Sequence, residues 1–152
     1  MLAVLTAARE QLVQGWVQEA WWVTRPPSGG RQVHALGATR QFGKVSGACL
    51  VGAVLNATGS PGSEPAWVAG PAVDALYDAL WEARGGHAEL TTRVPSPAVR
   101  LARVQTLTHW NDAAGRTREE VLDVVDRAIS RTIMTLVGEG KPAGVGAAGP
   151  QP

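Results

Sequence analysis

The stretch LTHWNDAAGRTREEVLDVVDRAI, residues 107–129, decides the fold of this chain. Its second half predicts a helix, because Thr117 followed three residues later by Glu120 is the pattern of a capping box. In that motif the Thr hydroxyl accepts the amide of the third residue, and the carboxylate reaches back to the Thr amide. A continuous apolar stripe at helical spacing carries this helix to residue 137: Val121, Val124, Val125, Ala128, Ile129, Ile133 and Leu136.

The first half of the stretch has two interpretations. Asn, Asp and Gly between two helices are turn formers, so Asn111 and Asp112 would hold nearby amides while Trp110 is buried at the junction and Arg116 pairs with Asp112. Alternatively, His109 is a general base that Asn111 or Asp112 orients. We favour the structural motif, made of Trp110, Asn111, Asp112, Arg116, Thr117 and Glu120, because residues adjacent in sequence rarely form a catalytic pair.

Apolar periodicity and helix-boundary signals predict further helices before this stretch. We expect them at residues 2–15, 46–58 and 71–84, and from the Ser96-Pro97 pair onward. The last of these would point Leu101, Val104 and Leu107 inward.

Residues 17–45 break the helical pattern and form an irregular insertion. The segments WVQEAWWVT and RQVHALGAT are compatible with strands, and the turn-forming RPPSGG between them indicates a β-hairpin. The predicted fold is therefore all-α: a compact bundle of about five helices with this insertion between the first and second helices. Residues 1–137 would form one domain, and the Gly- and Pro-rich residues 138–152 a disordered tail.

The composition is that of a soluble globular protein. Its 152 residues are 45% hydrophobic and 18% charged, with a net charge of +1, which argues against a protein that mainly coats nucleic acid or anionic lipid. A single cysteine excludes an internal disulfide. The first residues lack the basic region of a signal peptide, and no apolar run reaches the length of a membrane span, so we expect a cytoplasmic protein.

Cys49 is the one candidate nucleophile for thiol chemistry. If Ser46 caps the second helix, Cys49 lies in its first turn, where amide dipoles lower the pKa of a thiol. A cysteine at a helix start with a distant histidine and an Asn or Asp is the arrangement of thiol hydrolases, with His109 favoured here over His34 and His87. The alternative is a small buried core cysteine, which we prefer because Cys49 sits among apolar residues.

No motif predicts a metal site or a cofactor. The three histidines are isolated from one another and from carboxylates, and neither GxGxxG nor a P-loop pattern occurs. We therefore expect no cofactor.

Basic and aromatic residues gather in the insertion. No acidic residue occurs between Glu19 and Glu64, whereas Arg25, Arg31, Arg40 and Lys44 do, and a second acid-free run carries Arg93, Arg100 and Arg103. Exposed tryptophan beside arginine is typical of protein-binding hot spots and of stacking surfaces for single-stranded nucleic acid. The predicted contact surface comprises Trp21, Trp22, Arg25, Arg31 and Arg40. The alternatives are that the arginines are merely solvated and that the insertion buries both rings.

The order of motifs resembles a domain family of unknown function found in high-GC bacteria and their phages. The matching features are Gly15-Trp16 at the end of the first helix, C-x-x-G-A at residues 49–53, W-N-D at residues 110–112 and R-T-x-E-E-V-L at residues 116–122. The resemblance covers residues 2–137 and implies a shared framework but no activity.

These observations favour a small non-enzymatic protein-interaction module, such as a phage-encoded or accessory modulator of a host protein. A thiol-dependent hydrolase using Cys49 and His109, with Asp112, is one alternative. A nucleic-acid-binding protein using the Arg-rich faces is the other.

Overall fold

The computed structural model describes residues 1–25, 29–30, 32–34, 44–59, 70–85 and 94–139 of the chain. Within them the fold prediction is confirmed: five helices pack together, and a small sheet lies between the first two. In chain order the elements are α1 (Leu2–Gln14), β1 (Trp22–Arg25), β2 (Gln32–His34), β3 (Lys44–Ala48), α2 (Leu50–Ala57), α3 (Gly70–Ala83), α4 (Pro97–Asn111) and α5 (Arg118–Glu139).

The core surrounds α2, whose residues from Leu50 to Leu55 are all buried. A helix that is apolar all round must be covered on every side. Here α1 and α4 pack against α2, and α3 and α5 pack against each other and complete the cluster. The core faces of α1 and α5 supply Leu5, Ala8, Leu12, Val121, Val125 and Ala128.

The sheet is antiparallel, with β1 between β2 and β3. Its register places Trp22 opposite both His34 of β2 and Ala48 of β3, with an irregularity between Val23 and Thr24 on the β3 side. The predicted hairpin is thus part of a three-stranded sheet, whose third strand leads directly into α2.

The second helix begins later than predicted, at Leu50 instead of residue 46. Ser46, Gly47 and Ala48 belong to β3, because this segment pairs with β1, Gly47 opposite Val23 and Ala48 opposite Trp22. In addition, the Ala48 amide donates to the Gly15 carbonyl (2.8 Å), and the Val17 amide donates to the Ala48 carbonyl (3.1 Å). A Cβ atom on Gly15 would collide with the Ser46 carbonyl oxygen, so this approach requires glycine. Pairing with a distant segment overrides the local helical tendency here.

Two helices are less buried than their apolar patterns predict. Val104 and Leu107 of α4 are buried, but Leu101 is 57% exposed, because the first turns of α4 contact α3 through ion pairs of Arg100 and Arg103. On α5 the prediction of a continuous inward stripe is wrong at Ile133 and Leu136, which are exposed. This helix extends through Glu139, two residues into the predicted tail, and the rest of that tail lies outside the described residues.

Candidate functional site

The WND segment forms the corner between α4 and α5. Helix α4 ends at Asn111 with Asp112 as its C-cap, and the chain turns through Gly115, whose φ of 78° favours glycine. The capping box then starts α5: the Thr117 amide donates to Glu120 Oε2 (2.9 Å), and the Glu120 amide donates to Thr117 Oγ1 (3.2 Å). The predicted capping box of Thr117 and Glu120 is therefore present.

Asn111 joins three parts of the chain at this corner. Its Oδ1 accepts hydrogen bonds from Trp16 Nε1 (2.9 Å) and from the Leu50 amide at the start of α2 (3.1 Å). Its Nδ2 donates to the Val17 carbonyl (3.2 Å) and to Asp112 Oδ1 (2.7 Å). Two bonds accepted and two donated use the whole capacity of a side-chain amide, so this buried group has nothing left to offer a substrate.

The segment after α1 is held against the same corner. Gln18 Nε2 donates to the carbonyls of Asn111 (2.9 Å) and Ala113 (3.1 Å), and the Glu19 amide donates to Asp112 Oδ1 (3.0 Å). Glu19 has a φ of 59°, a left-handed conformation that is uncommon for residues other than glycine. The hydrogen bond to Asp112 Oδ1 holds it there, and the same oxygen also accepts from Asn111 Nδ2 (2.7 Å).

The predicted pair of Arg116 with Asp112 is wrong, because the guanidinium of Arg116 binds Trp110 and Glu120. Arg116 instead donates from Nε to the Trp110 carbonyl (3.1 Å) and from NH1 to Glu120 Oε1 (2.9 Å). Its guanidinium carbon lies 4.2 Å from the centroid of the Trp110 ring, a cation–π arrangement.

Cys49 does not have the environment of a reactive thiol. It is the N-cap of α2 and not a first-turn residue, is 1% exposed, and accepts a hydrogen bond at Sγ from the Gly52 amide (3.3 Å). Burial raises the pKa of the Cys49 thiol to about 12, since desolvation of a thiolate outweighs the nearby amide dipoles. The predicted lowering of this pKa is therefore wrong.

Among the described residues, no histidine is hydrogen-bonded to Cys49 as a general base would be. His109 is exposed on the last turn of α4, and within the described ranges no hydrogen bond joins it to Cys49 or to Asp112. His34 pairs through its backbone in β2, and His87 lies outside the described residues.

The two tryptophans of the predicted contact surface have different environments. Trp22 is 2% exposed and belongs to the core, so the prediction that it contributes to an exposed surface is wrong. Trp21 is partly buried, with its ring centroid 5.7 Å from that of Trp22. Successive strand residues point to opposite faces, but the Trp21 ring, just before β1, still packs against the core.

Only some of the basic residues of the insertion lie in the described part of the chain. Arg25 is exposed and lies opposite the exposed Lys44 in the pairing of β1 with β3, which puts two like charges side by side. Arg31 and Arg40 lie outside the described residues.

The second arginine run is neutralised where it is described. Arg100 NH2 lies 3.1 Å from Asp74 Oδ2, and Arg103 NH1 lies 2.7 Å from Asp74 Oδ1, with all three side chains mostly buried. Arg103 also stacks over the Tyr77 ring at 4.9 Å. These arginines fasten α4 to α3 and do not form a free basic face, and Arg93 lies outside the described residues.

A cleft of about 350 Å³ lies between α1, β3 and the end of α2. Glu10, Gln14 and Lys44 line it, and Gln11 Oε1 accepts a hydrogen bond from Asn56 Nδ2 across it (2.7 Å). No histidine, cysteine or hydroxyl side chain lines this cleft, and its charged lining residues are Glu10 and Lys44.

The most unusual surface feature was missed from the sequence. Past Thr132, the last buried residue of α5, the helix exposes Ile133, Met134, Leu136 and Val137, with Met134 at 74% and Val137 at 71%. We define these four residues as the apolar end of α5. The signal was present in the sequence, because residues 132–138 (TIMTLVG) contain no charged side chain and place apolar residues in adjacent pairs that leave the core stripe.

Neither a metal centre nor a membrane span occurs in the part of the chain that the structure describes. No three side chains among its His, Cys, Asp and Glu residues are close enough together to bind a metal ion. None of its helices combines the length and the apolar character needed to cross a bilayer.

Comparison with known proteins identifies a family but no function. No curated protein and no solved structure matches the chain. The model of a family of unknown function, DUF6197, matches residues 1–131, which include the corner, the sheet and all of the core helices up to the last buried turn of α5. Because this match covers most of the chain, the protein belongs to the DUF6197 family of unknown function.

Proposed function

We propose that this protein is a small non-enzymatic protein-interaction module and that the apolar end of α5 is its principal binding surface. The observation that supports this is the exposure of four large apolar side chains within five consecutive residues of one helix. Contiguous apolar patches on soluble proteins commonly mark interaction sites, because burying them is favourable by about 25 cal/mol per Å².

The environment of the polar residues supports binding over catalysis. The side-chain amide of Asn111 and the Oδ1 atom of Asp112 are engaged in holding the corner together, and the thiol of Cys49 stays protonated near neutral pH. A thiol-dependent hydrolase using Cys49 and His109 remains the less favoured alternative.

A nucleic-acid-binding role has one supporting observation, the adjacent exposed Arg25 and Lys44. Against it, Arg100 and Arg103 are paired with Asp74, which removes the second predicted basic face. We propose that Trp21 and Arg25, with Arg31 and Arg40, form a secondary contact surface on the insertion. The role we propose is that of a cytoplasmic, phage-encoded or accessory modulator of a host protein.

The test is an affinity capture with the full chain from a lysate of its source, with and without nuclease, followed by mass spectrometry. We expect the unchanged chain to retain a near-stoichiometric protein after nuclease treatment, and Met134→Lys with Val137→Lys to lose it. Leu101→Lys is the matched control, because Leu101 is an exposed apolar residue on α4. A protein that the double variant still retains, or a capture that nuclease abolishes, would contradict the proposal.

Titration of the Cys49 thiol distinguishes the thiol-hydrolase alternative from the interaction-module proposal. We expect Cys49 to react slowly with a disulfide reagent in the folded protein near pH 8 and to react at once in urea, because only the thiolate is nucleophilic and the folded pKa is about 12. Rapid reaction of the folded protein, with a thiol pKa below the ordinary value of 9.0, would favour the thiol-hydrolase alternative.

A further inference from the structure

We propose that the cleft between α1, β3 and the end of α2 binds a small zwitterion that contains an amide, which is the chemistry of a dipeptide. The carboxylate of the ligand would bind Lys44, its ammonium group would bind Glu10, and its amide would bind side-chain amides of the cleft wall. The described lining of the cleft comes from α1, β3 and α2 and not from α5. The inference therefore goes beyond the proposed function and does not depend on it.

One side of α1 forms a wall of the cleft. Ala7, Glu10, Gln11 and Gln14 line it, and their spacing of three, four and seven residues places side chains on one face of a helix. None of these four is among the residues that α1 buries in the core. This face of the helix is therefore not used in packing the core.

The walls of the cleft are fastened to one another. The hydrogen bond from Asn56 Nδ2 to Gln11 Oε1 (2.7 Å) joins the end of α2 to α1. The hydrogen bond from the Ala48 amide to the Gly15 carbonyl (2.8 Å) joins β3 to the end of α1. The cleft is thus formed by the fold itself, and its volume of about 350 Å³ lies within the roughly 300–1,000 Å³ of small-molecule sites.

Two opposite charges face the cleft. Among the described residues, neither Glu10 nor Lys44 forms an ion pair with the other or with a third residue. Arg25 lies opposite Lys44 in the pairing of β1 with β3, and like charges directly opposite each other destabilise a sheet. A carboxylate bound at Lys44 would reduce this repulsion, and an ammonium group would pair with Glu10.

The uncharged polar part of the wall suits an amide. Gln11, Gln14 and Asn56 carry side-chain amides, each with donors and an acceptor. Gln11 Nε2 is buried and has no hydrogen-bond acceptor among the described residues, and an unsatisfied buried donor costs about 1–3 kcal/mol. A peptide group supplies one acceptor and one donor, so it matches this wall better than an apolar group does.

The chain segments joined directly to β3 and α2 do not carry this combination of charges. Residues 35–43 (ALGATRQFG) precede Lys44 and contain a basic residue but no acidic one. Residues 60–69 (SPGSEPAWVA) follow α2 and contain an acidic residue but no basic one. A zwitterion supplies both charges, so charge complementarity favours a separate small molecule.

The first experiment is a ligand-observed NMR screen of the full chain against the standard amino acids and the alanyl dipeptides. Isothermal titration calorimetry then measures the dissociation constant of the strongest binder. We expect a dipeptide to bind saturably, and its N-acetylated and C-terminally amidated forms to bind at least about tenfold more weakly, because each has lost one charge.

Two variants assign the ends of the ligand. Glu10→Gln should weaken binding of the dipeptide and remove its advantage over the N-acetylated form. Lys44→Gln should weaken binding and remove the advantage over the amidated form. Glu119→Gln and Arg84→Gln are the matched controls, because they neutralise exposed charges that do not line the cleft, and they should bind as the unchanged chain does.

A third variant tests the cleft without changing a charge. Ala7→Leu places a larger side chain in the cleft and should weaken binding at least about tenfold. Ala3→Leu is its control, because Ala3 is also exposed on α1 but does not line the cleft. Circular dichroism and thermal unfolding should show that both variants keep the fold.

A panel without a saturable binder would overturn the inference. A dipeptide that binds as tightly as its N-acetylated and amidated forms, or whose binding Ala7→Leu leaves unchanged, would also overturn it. Free amino acids without a side-chain amide that bind as tightly as the dipeptides would contradict the assigned amide. The proposed function is tested separately, by protein capture through the apolar end of α5.

Discussion

At its N-terminal end α5 is fastened through the corner to α1, α2 and α4, whereas at its C-terminal end every described side chain after Thr132 faces solvent. The corner uses nearly every polar group it has: Asn111 makes four hydrogen bonds, and Thr117 and Glu120 cap the helix reciprocally. Among the described residues, the other end makes no polar contact to another element, and it has four exposed apolar residues. Both ends contain residues that stand out in the sequence. The side-chain amide of Asn111 at the corner is fully hydrogen-bonded, whereas the apolar side chains at the C-terminal end are exposed.

The difference shows how to judge whether a polar motif or an apolar motif is a functional site. Residues at a buried corner resemble a catalytic set because both need defined hydrogen-bond partners. The test is whether any donor or acceptor remains unused, and the side-chain amide of Asn111 has none. At the apolar end, four large apolar side chains are exposed, which is the basis of the binding surface that we propose.

The largest effect should come from Asn111→Ala. It leaves Nε1 of the partly buried Trp16 and the buried Leu50 amide without their acceptor, and each unsatisfied buried group costs about 1–3 kcal/mol. We expect the free energy of unfolding in urea to fall by roughly 3 kcal/mol or more.

The control on the same helix is Thr106→Ala, because the Thr106 hydroxyl is exposed and bonds only to its own helix. It should change stability by less than about 0.5 kcal/mol. An Asn111→Ala protein as stable as the control would contradict the structural role of the corner and reopen a functional one.

Substitutions of two helical glycines, Gly52 in α2 and Gly138 in α5, compare the packed core with the exposed end of α5. A Cβ atom on Gly52 would collide with the Trp21 carbonyl oxygen, whereas a Cβ atom on Gly138 meets nothing within 4 Å. We expect Gly52→Ala to destabilise the protein by about 1–3 kcal/mol, and Gly138→Ala to stabilise it by up to about 1 kcal/mol through a less flexible unfolded chain. Thermal and urea unfolding of both variants check this, and equal effects at the two positions would contradict the packing described here.

The capping box should contribute less. Thr117→Ala removes the acceptor for the Glu120 amide, and losing such a cap costs about 1 kcal/mol. Urea unfolding measures it, and no loss of stability would mean that the cap is not formed in solution.

The same motif has a pH dependence of predictable sign. The hydrogen bond from the Thr117 amide lowers the pKa of Glu120 below its ordinary value of 4.5. Its stabilising effect is therefore present above about pH 4.5 and is lost as the pH falls through the lower folded value. Glu120→Gln should be less stable near neutral pH and lose less stability on acidification, and an unchanged acid profile would contradict this.

What the sequence could predict was local. The capping box joins residues three apart, and the Ser96-Pro97 start of α4 is a signal within two residues, so both were found. The strand at Ser46–Ala48 was missed because it depends on pairing with β1, which is distant along the chain.

The roles of the candidate site residues were less predictable for the same reason. The bonds of Asn111 to Trp16 and Leu50 span 95 and 61 residues, and no local pattern reveals them. The pKa of Cys49 depends on burial, which a helix-start motif does not report. The apolar end of α5 could have been found, because Met134 and Val137 lie off the stripe that the sequence itself defines.

The smallest effect on stability should come from that apolar end. Met134→Gln with Val137→Gln exchanges exposed side chains, so the free energy of unfolding in urea should change by less than about 0.5 kcal/mol. Leu107→Ala, at a fully buried position, should lose about 2–5 kcal/mol in the same assay. A loss above about 1 kcal/mol would show that these side chains are packed within the domain, and the contrast between the two ends of α5 would fail.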